Sequence, residues 1–301
     1  MECEICGNDA IISTNNGTLC TEHFKKRFED ITLNTIKKYK LIKKGEKVAV
    51  ANSGGKDSLS LLYILAKYFK KNNEIVSITI DEGIKGYRDK TIEIMKRYCD
   101  EYGIKYKIYS YKDLTGKTMD YIASLKKGIP CAACGVLRRY LINYAAKDNK
   151  ADKLATAHNL DDEAENVIMN LVQNDVEKMT RLGAYSGVVK EEEFIPRIKP
   201  FIFLGEKETM LYSMLNGIDA IHTPCPYAGY GFRGLVSRSI KEFETKYSGS
   251  KRNVVNTMLN VKESRKNLKV KNVNKCIQCG FPSVKEICEA CKIKISLQKA
   301  Y

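Results

Sequence analysis

Ser53-Gly54-Gly55-Lys56-Asp57-Ser58 packs two glycines, two hydroxyls, a lysine and an aspartate into six consecutive residues. Glycines let backbone N–H groups approach an anion with no side chain in the way. Ser53 and Ser58 can donate hydroxyl hydrogen bonds, and Lys56 adds a point charge. This chemistry suits a phosphate. Cysteines form three further sets. Cys3, Cys6, Cys20 and His23 open the chain, and Cys276, Cys279, Cys288 and Cys291 close it. Cys131 and Cys134 stand between them, with Cys225 alone in Pro224-Cys225-Pro226.

The elements that must position these residues are legible around them. The apolar run 48–51 predicts a buried strand, and 57–71 a mostly apolar helix. The positive end of that helix points at the glycine turn. The spacing is not a Walker A loop, which needs four residues before its Gly-Lys pair. Ser53 to Ser58 after a strand instead resembles the signature of the PP-loop ATPases. That resemblance implies cleavage of ATP between the α- and β-phosphates.

Strand and helix alternate onward from residue 47. Strands are predicted at 47–52, 75–80, 104–110 and 153–157. Helices are predicted at 57–71, 87–102, near 117–127, 135–148 and 161–173. Repeated βα units imply an α/β fold with a parallel sheet covered on both faces. Ligands in such sheets sit at the carboxyl ends of the strands. The loop after residue 80 offers Asp81 for a ribose hydroxyl and the Ile80 backbone for an adenine. The loop after residue 157 reads His158-Asn159-Leu160-Asp161-Asp162-Glu163. Asp161 or Asp162 could cap the next helix, and the acids could hold magnesium against ATP phosphates.

Both terminal cysteine sets match tetrahedral zinc spacing. Four ligands leave no open position, so the sites read as structural. Residues 24–44 predict a basic amphipathic helix ended by Gly45, with Phe24, Phe28, Ile31, Thr35 and Ile36 on one side. Cys131-x2-Cys134 opens a helix, which predicts lowered thiol pKa values. A redox dithiol, half a zinc site and an iron–sulfur site all fit this pair. Cys99 reads as a packing residue, which leaves Cys131, Cys134 and Cys225. Three thiolates on a four-iron cluster would leave one iron open. Arg138 and Arg139, one turn on, can reach phosphate.

The chain has 51 basic and 36 acidic residues, a formal charge of +15. Residues 241–301 carry 14 Lys/Arg against 5 Asp/Glu. Arg238, Lys241, Lys251, Arg252, Arg265 and Lys266 lie in basic helices expected over 234–267. Such a surplus suggests a polyanion partner, although a solvated lysine-rich surface would look the same. No apolar run is as long as a membrane span and no signal peptide opens the chain, so a cytoplasmic location is expected. Eleven cysteines in a reducing compartment point to metal rather than disulfides.

Taken together, Ser53–Ser58, Cys131-x2-Cys134-Gly135 with Arg138-Arg139, 158–163 and Cys225 resemble the tRNA 2-thiouridine synthetases. These form the thiolation branch of the PP-loop family, and their flanking zinc modules also match. The resemblance implies a PP-loop (adenine nucleotide alpha hydrolase-like) domain over 31–240. A zinc finger over 1–30 and a basic helical region with a zinc ribbon over 241–301 would flank it. It implies ATP contacts at Ala51, Ser53 to Ser58, Ile80, Arg138 and Ala157. Cys131, Cys134, Cys225, Asp57 and Asp161 would be catalytic, with magnesium on one of the two acids. The implied cofactors are ATP, Mg2+, a [4Fe-4S] cluster on the three cysteines, and two Zn2+. The implied reaction adenylates a uridine O2 and replaces it with sulfur, at wobble position 34. Alternatives are position 54 of the T-loop, a noncatalytic tRNA-binding partner subunit, and a persulfide enzyme lacking the cluster. The implied partners are tRNA, free sulfide or a ubiquitin-like thiocarboxylate carrier, and a second copy of the chain.

Overall fold

The computed structural model describes residues 1–14, 17–126, 130–186, 194–220, 223–228, 231–264 and 274–298. His222, Arg265 and Lys266 lie outside the described residues. The chain opens with a hairpin of β1 (Ile12–Thr14) and β2 (Gly17–Leu19). Helix α1 (Thr21–Lys38) follows and buries Phe24, Phe28, Thr35 and Ile36. Phe28 stacks on Tyr212 at 4.1 Å, which fixes the helix to the main core. The helix stops at Lys38 rather than running to Gly45. Lys40 takes a left-handed φ of 50°, and the Leu41 N–H returns to the Ile36 carbonyl. That closure turns the chain so that Leu41 is fully buried.

The core sheet then begins with β3 (Lys47–Ala51), α2 (Lys56–Phe69), β4 (Glu74–Asp81), α3 (Arg88–Glu101) and β5 (Lys105–Ser110). A short helix, α4 (Tyr111–Thr115), precedes α5 (Met119–Ser124), which stands where a short helix was predicted. Gly116, at φ 76°, ends α4 and divides them. Helix α6 (Pro130–Asp148) starts five residues before the predicted 135, so both of its cysteines are helical. β6 (Lys153–Ala155), α7 (Leu160–Val172), α8 (Val176–Thr180), β7 (Tyr185–Ser186), β8 (Arg197–Ile198) and α9 (Glu206–Leu215) complete the layer.

The sheet order is β5-β4-β3-β6-β8-β7. All neighbours are parallel except β7, which pairs antiparallel with β8. β7 and β8 are consecutive with no helix between them among the described residues, and a parallel pair would need a longer crossover. The chain runs outward from β3 through β4 to β5, then returns to the other side of β3 at β6. That reversal opens a crevice at the carboxyl ends of β3 and β6. Val48, Val50, Leu59, Leu62, Phe201 and Tyr212 fill the core beneath it.

Helices α10 (Phe232–Lys246) and α11 (Ser250–Ser264) pack on α7. A second hairpin of β9 (Asn274–Lys275) and β10 (Pro282–Ser283) leads to α12 (Glu289–Gln298), which packs on α6. No helix among the described residues is long and apolar enough to cross a membrane.

Candidate nucleotide and cysteine site

The turn after β3 is held open by its own side chains. Asn52 Oδ1 accepts from the Gly54 N–H at 2.9 Å and from the Ser58 hydroxyl at 3.0 Å. Ser58 Oγ accepts from the Ser53 N–H at 3.1 Å, and Ser53 Oγ accepts from the Gly55 N–H at 3.3 Å. Gly54 has φ 76°, and a Cβ there would lie 2.1 Å from the Thr91 carbonyl oxygen. Only glycine fits this close approach. α2 begins at Lys56, so its free N–H groups face the turn.

Asp57 sits at that helix start with Oδ2 on Lys56 Nζ at 2.8 Å. Its Oδ1 is buried and has no hydrogen-bond partner. Burial pushes the Asp57 carboxyl above its usual range, Lys56 opposes this, and Asp162 and Glu206 add to it. A buried, unpartnered carboxylate oxygen near two more acids fits a hard divalent cation.

The loop after β6 differs in detail from expectation. Asn159, rather than Asp161 or Asp162, caps α7. It accepts from the Asp162 N–H at 3.1 Å, and Asp162 Oδ2 accepts from the Asn159 N–H at 3.2 Å. Asn can serve at the cap because its amide oxygen reaches that N–H, which leaves Asp162 to close the box. Asp161 is engaged elsewhere. Its Oδ2 accepts from the Glu206 N–H at 2.8 Å, and its Oδ1 is ion-paired with Lys251. His158 bonds Thr156 Oγ1 through Nδ1 at 2.9 Å. Burial holds its imidazole down at about 3, reinforced by Lys199. Ala157, expected at the nucleotide, lies in this loop, and Ala51 ends β3 on the facing strand.

Cys131 and Cys134 lie in the first turns of α6, and the loop carrying Cys225 folds back over them. Cys131 Sγ donates to the Tyr227 carbonyl at 2.9 Å. Cys134 is buried; its Sγ lies 3.3 Å from the Tyr111 hydroxyl and accepts from Arg138 Nη2 at 3.3 Å. The thiol of Cys131 departs from expectation. Burial pushes it up, and so do the adjacent Cys134 and Cys225 sulfurs. Burial first, and the two neighbouring sulfurs second, outweigh the helix start here.

Each terminal set brings four ligand atoms within 4.8 Å of one another. In the first, Cys3 Sγ and Cys20 Sγ lie 3.5 and 3.3 Å from His23 Nδ1, and Cys6 Sγ lies 3.8 Å from Cys20 Sγ. In the second, Cys279 and Cys288 sulfurs are 3.8 Å apart. Burial raises the Cys3 and Cys276 thiols, but backbone N–H groups outweigh it and hold each at about 6. The neighbouring Cys6, Cys288 and Cys291 thiols are pushed up, so it is the four-fold convergence of N/S donors that fits zinc. Cys131, Cys134 and Cys225 do not converge this tightly. Three thiols near one another, with the Cys134 and Cys225 sulfurs both acting on Cys131, are a donor set that suits an iron–sulfur cluster.

Comparison with known proteins agrees. A family model for a PP-loop domain matches residues 20–219. A probable sulfurtransferase of Methanocaldococcus jannaschii is 35% identical, over 98% of this chain and 87% of its own. Cytoplasmic tRNA 2-thiolation protein 1 of Chlamydomonas reinhardtii is 37% identical, over 93% and 80%. The solved U34-tRNA thiolase NcsA from Methanococcus maripaludis, with its [4Fe-4S] cluster, superposes with a TM-score of 0.85. It shares 34% identity over 100% of this chain and 96% of its own.

The chain belongs to the PP-loop family, in its tRNA 2-thiolation branch.

Several residues of this PP-loop protein that shape the site carry no sequence motif. Arg88 is 3% exposed and donates to the carbonyls of Ile80 and Ser53. Of the Ile80 backbone, expected to pair with adenine, the carbonyl is thus occupied by Arg88 from two nitrogens. Glu82 is 4% exposed and lies between Arg88 and Arg138. Arg138, expected on phosphate, holds Glu82 and Cys134 in this structure. Arg233 bridges Asp162 and Glu165, which ties the start of α10 to α7. Buried charge next to a carboxylate was the available signal, but a lone Arg or Glu in sequence does not announce its partner.

Proposed function

We propose that the protein is an ATP-dependent tRNA uridine 2-sulfurtransferase acting at wobble position 34. The observation that carries this reading is that the loop bearing Cys225 is bonded to Cys131 through the Tyr227 carbonyl, so that a third sulfur lies near the Cys131 and Cys134 pair. ATP would enter the crevice between the loops after β3 and β6. The free N–H groups at the start of α2, with Ser53, Ser58 and Lys56, would hold the departing pyrophosphate. Uracil O2 would attack the α-phosphorus, breaking its bond to the bridging oxygen and leaving O2 adenylated. Sulfur would then add at C2, and AMP would leave with the former O2. An adenylated oxygen leaves well where a carbonyl oxygen does not.

Asp57 is the acid that would hold Mg2+ against the phosphates, because its Oδ1 is unpartnered. Asp161 would instead brace α9 and α11. Cys131, Cys134 and Cys225 would hold a [4Fe-4S] cluster. When bound, that cluster offers one iron without a thiolate as the place for an exchangeable sulfur ligand. Two zinc ions would occupy the terminal sites. Free sulfide or a thiocarboxylate carrier would supply sulfur, the working form would be a cytoplasmic homodimer, and the divisions 1–30, 31–240 and 241–301 would act as finger, catalytic body and tRNA platform. Mass spectrometry of tRNA nucleosides from a strain lacking the protein tests the reading. Loss of 2-thiouridine at position 34 is expected, whereas undiminished 2-thiouridine there would sink it.

A further inference from the structure

We infer that Arg138, Glu82 and Arg88 form a rigid charge relay that couples nucleotide binding in the glycine turn to occupancy of the cysteine triad. The inference rests on the thiolase reading, and it assigns Glu82 and Arg88 as positioning residues. The contacts are continuous. Arg138 Nη2 donates to Cys134 Sγ at 3.3 Å, and its Nε meets Glu82 Oε1 at 3.0 Å. Glu82 Oε2 is ion-paired with Arg88 Nε at 2.7 Å, while the Nε hydrogen itself is donated to the Ile80 carbonyl and Oε2 accepts no hydrogen bond. Arg88 Nη1 donates to the Ser53 carbonyl at 2.6 Å and to Thr91 Oγ1 at 3.0 Å. The Thr91 carbonyl in turn forms the wall that a Cβ at Gly54 would strike.

Burial makes the relay stiff. Glu82 and Arg88 are 4% and 3% exposed, so neither can exchange its partner for water. A single carboxylate serves two guanidiniums, one facing each half of the site. Moving Arg138 toward a thiolate at Cys134 therefore moves the Glu82 carboxylate. Arg88 feels that shift through the ion pair, and because its Nε and Nη2 also donate to the Ile80 carbonyl, the strain falls on the end of β4 as well as on the turn. Arg88 grips the loop backbone at Ser53, so the turn follows too. Planar guanidiniums with two directed partners transmit position better than a flexible ammonium would. The two loops have no covalent link shorter than the sequence between Ser53 and Cys134. By linkage, whatever the triad does to nucleotide affinity the nucleotide does in return to the triad.

The test measures the dissociation constant of α,β-methylene-ATP, which cannot be cleaved at that bond, with cluster-free and reconstituted full-length protein. The wild type is expected to bind at least about fivefold tighter when reconstituted, the lower end of typical coupling. Adding the analogue should also shift the visible spectrum of the reconstituted protein. In Glu82→Gln the difference should fall below about twofold and the spectral shift should vanish, with analogue still bound and iron still present. Glu82 is buried between two arginines, so Arg138→Met, at the half-exposed end, is the second variant and should give the same loss. Equal affinities in the wild type, or coupling preserved in both variants, would overturn the relay. A wild type that binds neither analogue nor iron would sink the thiolase reading and the relay together.

Discussion

Asp57 shows how function and stability oppose one another at a single residue. Its carboxyl is pushed up mainly by burial, so the folded protein pays for ionising it at neutral pH. A raised carboxyl contributes most below its unfolded pKa, near 4, and loses that contribution as pH rises through the folded value. Asp57→Asn is therefore expected to raise Tm at pH 7 by roughly a few degrees while abolishing thiolation. Calorimetry with an activity assay checks both halves, and a lowered Tm would show that the ion pair to Lys56 dominates. His158 works in the opposite sense. Its folded pKa of about 3 lies below the unfolded value near 6.5. The unfolded chain thus binds the extra proton between those limits, and stability falls as pH drops from about 6.5 toward 3. His158→Asn should flatten that slope in urea titrations run from pH 7 to pH 4.

At the scale of elements, the C-terminal four-cysteine hairpin, the proposed zinc ribbon, packs as one unit with the cysteine helix α6. Cys276 and Cys288 share an apolar cluster with Cys134, Leu137 and Leu141. Tyr140 of α6 packs on Phe281 at 4.8 Å between ring centres. Wild-type protein is expected to carry about two zinc per chain, and Cys279→Ser about one. Phe281→Ala should cost about 2 kcal/mol, less than a fully buried ring, and lower iron uptake on reconstitution. Metal analysis and urea melts read both; unchanged iron uptake would mean that α6 stands without the ribbon.

Element boundaries also show what the sequence made legible. The βα alternation, the glycine turn and both metal-ligand sets could be read because period, spacing and residue type coincide. The end of α1 could not, because Lys40 supplies a left-handed φ with no glycine to mark it. The capping of α7 by Asn159 was hidden behind two equally good acids. Arg88, Glu82 and Arg233 were invisible for a different reason. Their roles are pairings between distant segments, and nothing local encodes a partner. Lys251 is the sharpest case, since a lysine in a basic helix reads as a solvent-facing charge until the fold sets it against Asp161.

For the whole molecule, that distinction decides which basic residues can meet a polyanion. The chain's +15 charge is a surplus, but a cation already paired inside the protein releases no counterion from RNA. Lys251 is ion-paired with buried Asp161 and only 14% exposed at its side chain. Arg252 donates to the Phe203 carbonyl at 3.3 Å. Arg238 is exposed on α10, and Lys241 is 54% exposed with a long 3.4 Å pairing to Glu206. The exposed rings of Phe232, Phe243 and Tyr247 lie on the same helix or at its end, where bases could stack. Arg238→Ala with Lys241→Ala is therefore expected to weaken tRNA binding and to reduce the salt slope of log K by up to about two. Lys251→Ala should leave that slope within about half a unit and lower Tm instead, because it strands the Asp161 carboxylate. Filter binding across a salt series, run beside thermal melts, separates the two. A slope change in Lys251→Ala as large as in the α10 pair would place the tRNA on α11 as well and remove the division between structural and RNA-facing charge.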